Sequence, residues 1–139
     1  MSVNKAKPYL YVIPEDRANS ALANGFHLEI QRDRQMQVLE ESWGCRTKVV
    51  EEFKTAHVRR MGLDTNRLVV LLVDFDSKED RLDRVKAEIP ARLNDRVFVL
   101  GLWTEPEDLG AGRLEEVGRA LARDCRDGTD EMWGHELLR

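Results

Sequence analysis

An excess of positive charge is the first thing this chain lacks: 22 lysines and arginines face 26 aspartates and glutamates, a formal charge of −4. That balance excludes a generic basic nucleic-acid coat, whose affinity comes from neutralising phosphates. Nucleic acid stays open as a substrate where basic residues cluster or a partner supplies them. Cysteine is scarce as well. Cys45 and Cys125 lie far apart with no metal-ligand spacing, so they are expected to be free thiols of a cytoplasmic protein. No apolar run approaches the ~20 residues of a membrane-spanning helix. The N-terminal MSVNKAKPYLYVIPED holds no apolar stretch of signal-peptide length before Pro14 and Glu15, so no membrane partner is expected. Neither GxGxxG nor GxxxxGK[ST] occurs, which argues against nucleotide binding through a glycine-rich phosphate loop. Internal repeats and low-complexity segments are missing too.

What is present is a soluble, globular composition with a heavily charged surface, 42% hydrophobic and 35% charged over 139 residues. That length suits one domain covering residues 1–139, with a core without staples over about 8–110 and a C-terminal helix and tail over 111–139. Strand and helix signals alternate along it. Residues 8–14 form a short β-prone run, and 18–32 carry Ala18, Leu22, Ala23, Phe26 and Ile30 at helical spacing. Gly25 should weaken that helix by about 1 kcal/mol relative to alanine. Residues 35–39 read as a second strand. A helix is expected from about 47 to 61, with Val49, Val50, Phe53, His57 and Met61 on one side, Thr47 as N-cap and Gly62 as C-cap.

The unbroken run RLVVLLV at 67–73 has the pattern of a strand covered on both faces. A helix follows over 79–93, with Pro90 as a kink or early stop. A buried strand over 96–102 and a helix over about 113–124 complete the pattern. Such alternation implies right-handed crossovers and a parallel sheet with helices on both faces, an α/β fold.

In such sheets the functional crevice lies beyond the carboxyl ends of the strands. The acids fall there: Glu15 and Asp16 after the first strand, Asp74 and Asp76 after the third, Glu105 and Glu107 after the fourth. Acids at strand ends commonly serve only as helix caps. Convergent carboxylates, however, repel one another and cost free energy to desolvate unless a cation compensates. The simplest compensating partner is a hard divalent ion with oxygen ligands, Mg²⁺ or Mn²⁺. In Asp74-Phe75-Asp76 the strand period of two turns both carboxylates to one side and the phenylalanine to the other.

A glutamate closing the first strand and an Asp-x-Asp closing a later hydrophobic strand resemble the Toprim domain of topoisomerases, bacterial primases and OLD-type nucleases. The resemblance covers roughly residues 8–110. It implies a three-layer fold around a mostly parallel four-stranded sheet and Mg²⁺-dependent cutting or joining of phosphodiester bonds. Glu15 would then be the family's general acid/base or additional metal contact, Asp74 and Asp76 its metal-binding pair, and Glu105 (or Glu107) its later acidic position. The chain departs from the family where Asp16 replaces the usual glycine after the first glutamate, and where Ser77 and Lys78 follow the Asp-x-Asp in place of a frequent glycine. Tyr9 and Tyr11 are the only tyrosines, so a topoisomerase-type nucleophile is lacking.

Phosphoryl chemistry also needs cations near the phosphate. Arg17 beside Glu15 and Lys48 at the start of the second helix are candidates for the acidic rim. Arg59 and Arg60, with His57, form a basic helix end that either binds nucleic acid or simply meets the helix dipole. Trp43 and Trp103 flank rim loops, as base-stacking groups or as apolar lids. In the polar tail, Trp133 and His135 read more simply as packing and surface residues than as a ligand set. The expected function is metal-dependent nuclease chemistry on DNA or RNA, with a protein partner or homo-oligomer possible. The alternative is a catalytically inactive Toprim-like subunit or regulator of a larger nucleic-acid or phage-defence complex. A receiver-like module is disfavoured, because no lysine occurs in residues 96–108.

Overall fold

The computed structural model describes residues 3–31, 35–39, 46–75, 78, 80–102 and 110–128. Four strands, β1 (Tyr9–Pro14), β2 (Met36–Val38), β3 (Arg67–Asp74) and β4 (Val97–Leu102), pair in the order β2-β1-β3-β4, and every pairing is parallel. Helices α1 (Arg17–Ile30) and α5 (Gly110–Asp127) cover one face. The other carries a continuous helical segment over 46–63, then α4 (Asp80–Ala87) and a 3₁₀ turn (Ala91–Leu93). The arrangement is the expected three-layer α/β fold, with a sheet that is parallel throughout its described pairings.

The strand period of two divides the core. Ile13, Leu71 and Val73 face Val49, Phe53, Met61 and Val85, while Val12 and Leu72 face Leu22, Leu114 and Leu121. In β3 only Leu68 and Val70 keep partial exposure, as a central strand buried on both sides requires.

The 46–63 segment comprises α2 (Arg46–Glu52), a π-helical turn (Phe53–His57) and α3 (Val58–Leu63). Its buried residues Val49, Phe53, His57 and Met61 are spaced by four. In a regular α-helix each such step overshoots a full turn by about 40°, which would carry the stripe off the sheet. The wider π turn absorbs the drift and keeps His57 and Met61 inward. Thr47 lies within this helix and is not its N-cap. Gly62 is helical, and the C-cap is Asp64 in an extended conformation. The exposed carbonyls at this end are met by Arg96, which donates to Met61 O at 2.9 Å and Asp64 O at 3.1 Å. Arg96→Met should therefore lower stability by about 1.5 kcal/mol, measured by chemical denaturation.

Two further helix expectations change. The 79–93 helix stops at Ala87, and Pro90 stands as the N-cap of the 3₁₀ turn. The last helix runs from 110 to 127, longer than the expected 113–124. Gly25 gains a reason. A Cβ there would lie 2.0 Å from Glu115 O, and one at Gly118 would lie 1.9 Å from Leu22 O. The two glycines let α1 and α5 cross backbone to backbone, which offsets their poor helix propensity.

Candidate metal centre

From β1 the chain turns through α1 to β2 on one side, and later returns to β3 on β1's other side. The β1/β3 boundary is thus the topological switch point, where the flanking connections diverge and open a crevice at the carboxyl ends. Pro14 pairs with Leu72, so the chain leaving β1 and the end of β3 emerge side by side. Glu15, Asp16 and Asp74 sit there, each with a carboxylate oxygen within 4.8 Å of the others.

Each acid is held by a specific backbone or side-chain donor. The Asp74 backbone N–H donates to Glu15 Oε2 at 2.7 Å, so Glu15's side chain extends the β1–β3 ladder one step beyond the backbone pairing. Asp16 is the N-cap of α1, its Oδ1 accepting from the Asn19 backbone N–H at 2.9 Å. The Asn19 side-chain Nδ2 donates both to Asp16 Oδ1 at 3.1 Å and to Asp74 Oδ1 at 3.0 Å. Just past β3, the Phe75 ring turns to the opposite face and lies against Gly101, where a Cβ would meet it at 2.5 Å. That packing fixes the chain directly after Asp74.

Asn19 was not legible as a site residue. It is fully buried, yet its Oδ1 has no hydrogen-bond partner. Two carboxylates both demand donors, so the amide must present its NH₂ to them and leave its oxygen unmet, at a cost of about 1–3 kcal/mol. The amide is oriented for the acids and not for its own satisfaction. The only trace in the sequence is its position three residues after the capping Asp16.

Asp74 is 8% exposed. Burial pushes its carboxyl pKa up to about 8; the negative charges of Asp16 and Glu15 and a hydrogen bond to the Asp16 carboxyl add to the rise, while Asn19's hydrogen bond opposes it. At neutral pH Asp74 therefore holds a proton, where a cation would otherwise balance the charge. The donor set is all oxygen, carboxylates from two adjacent strand ends, and could hold a metal cation.

The sequence-derived residues divide by rim. Glu15 and Asp74 meet, and they are joined by Asp16, the second acid at the end of the first strand. Arg17 is the first residue of α1, exposed, and next to the acids in sequence. Lys48 is exposed in the first turn of α2 and has no hydrogen bond or ion pair among the described residues. Arg59 and Arg60 are at the other end of that helical segment, lining a cavity with Tyr9 and Arg67, the first residues of β1 and β3. They are thus at the amino-terminal rim, on the order of 20 Å from the acids at the rise of a strand, and do not belong to the same site. Asp76, Glu105, Glu107, Trp43, Trp103, Trp133 and His135 lie outside the described residues. No described helix is long and apolar enough to cross a membrane. No protein-family model, curated protein or solved structure matches the chain.

Proposed function

We propose that this chain carries out Mg²⁺- or Mn²⁺-dependent chemistry on the phosphodiester bonds of nucleic acid, as a Toprim-type nuclease or a component of one. The observation that carries this reading is the convergence of Glu15, Asp16 and Asp74 at the β1/β3 switch point around a buried, oriented Asn19. Asp74 and Asp16 would hold the ion, with Glu15 beside them. When bound, it would supply Lewis acidity at a phosphate oxygen and lower the pKa of a water molecule.

The protein's own contribution is positional and protolytic. Asn19 fixes the two aspartates, the Asp74 N–H fixes Glu15, and the Glu15 carboxylate is the candidate proton acceptor. Arg17 and Lys48 supply positive charge for a phosphate on this rim. The test is cleavage of single- and double-stranded DNA and RNA panels in Mn²⁺ and in Mg²⁺. Wild type should cut at least one substrate, and Asp74→Asn and Glu15→Gln should each lower the rate by roughly 100-fold or more.

A second reading, an inactive subunit or regulator of a larger nucleic-acid complex, draws support from the distance of Arg59 and Arg60 from the acids. It requires that a reconstituted activity survive Asp74→Asn unchanged.

A further inference from the structure

The amino-terminal rim of the sheet carries a second built site. Lys5, Tyr9, Arg59, Arg60, Asp64 and Arg67 line a cavity of about 390 Å³ there. Arg67 is 6% exposed, unusual for an arginine. Its Nε donates to the Tyr9 hydroxyl at 3.2 Å, its Nη1 lies 3.1 Å from His57 Nδ1, and its guanidinium stands 4.6 Å from the centre of the Tyr11 ring. These contacts lock the fork in place, and among the described residues Nη2 has no acceptor.

Asp64, the one carboxylate among the described lining residues, offsets one of the four positive charges. Asp64 Oδ2 accepts from the Tyr9 hydroxyl, and its Oδ1 accepts from the Asn66 backbone N–H at 3.0 Å. Both of its oxygens are engaged by these donors, and Arg67 and Lys5 act on it through their charge without a direct ion pair among the described residues.

Helix capping does not account for the cations either. Arg96 already serves the carbonyls at the end of α3, so exposed Arg59 and Arg60 are surplus to that task. Four cations around one occupied carboxylate make an electropositive, concave site with an immobilised arginine at its base. The π-helical turn that presents His57 to Arg67 is a local irregularity of the kind found at functional sites.

We propose that this cavity binds a phosphomonoester, with the Arg67 fork against the phosphate oxygens and Arg59, Arg60 and Lys5 closing over the dianion. An arginine fork matches two phosphate oxygens at once, and a dianion suits the excess of cations. The chemistry is common to a free nucleoside monophosphate and to the 5′-phosphate end of a nucleic acid strand. The inference is independent of the metal-centre reading, because no residue is shared with that site.

The experiment titrates the full chain, without metal, with inorganic phosphate, with adenosine 5′-monophosphate, and with a short oligonucleotide bearing either a 5′-phosphate or a 5′-hydroxyl. Binding is followed by amide chemical-shift changes. Saturable shifts centred on residues 59–67 are expected for the phosphate-bearing probes, with the 5′-hydroxyl strand about tenfold weaker than its phosphorylated twin. The exposed pair Arg59→Ala/Arg60→Ala, which should fold normally, is expected to weaken phosphate binding about tenfold, and Arg67→Lys to do the same by losing the fork. A preference for the oligonucleotide over the monophosphate identifies a strand end as the ligand, and the reverse a free nucleotide; either supports the site. No saturable binding by any probe, equal binding of the two oligonucleotides, or indifference to the Arg59/Arg60 double substitution would overturn it.

Discussion

Gly118→Ala is expected to destabilise the protein by about 3 kcal/mol, a fall of roughly 10 °C in Tm for a chain of this size. Helix propensity alone gives the opposite sign, since alanine inside a helix is favoured over glycine by about 1 kcal/mol. Packing decides the outcome. The added methyl would stand 1.9 Å from Leu22 O and 2.8 Å from Phe26 N, both backbone atoms that cannot move without shifting α1. Gly25→Ala meets Glu115 O at 2.0 Å and should behave alike. The effect should reach the acids, because α1 carries Asp16 and Asn19. Differential scanning calorimetry on both variants checks this; a rise in Tm for either would mean that α1 and α5 do not cross at these glycines.

The second large effect is on pH dependence. Asp74's carboxyl is raised from an ordinary 3.8 to about 8 in the folded protein. Between those values the native state holds a proton that the unfolded chain has released. The stability contribution is therefore fully present below about pH 4 and is lost as pH rises towards 8, by at most about 1.4 kcal/mol per pH unit. Asp74→Asn keeps the acceptor for Asn19 Nδ2 and removes the charge. The variant should match wild type near pH 4 and become progressively more stable than it towards pH 8, without metal. Asp64, whose carboxyl is held below its usual range by the Tyr9 hydrogen bond, exerts its effect below that window and cancels in the comparison. Urea unfolding of both proteins across the range is the check. A constant difference between them would show that Asp74 is ionised throughout.

The strands were readable because their signal is simple: RLVVLLV admits little besides a strand buried on both faces, and its acids fall at its carboxyl end. Parallel topology follows from the helix between each pair of strands, and the meeting of Glu15 with Asp74 follows from that topology. Contacts that depend on three-dimensional crossing were not readable. Gly25 looked like a weak point of α1 because the sequence does not show Gly118 lying across it. Asn19 is a polar residue next to a predicted apolar face, and only the rotation of α1 set by Asp16's cap turns it inward. Arg59 and Arg60 read from sequence as a basic helix end that either binds nucleic acid or meets the helix dipole. The direction of the 46–63 segment places them at the opposite rim, where Arg67, read only as part of a strand, is the buried partner.

The most direct test of the metal centre is calorimetric titration of the intact protein with Mn²⁺ at pH 7, in two buffers of different ionisation enthalpy, on wild type and Asp74→Asn. Saturable binding that releases a proton in wild type and disappears in the variant is the predicted result, since the ion would take the place of the proton held by Asp74. Binding that persists undiminished in Asp74→Asn, or no binding by wild type, would contradict the assignment of Glu15, Asp16 and Asp74 as a metal site.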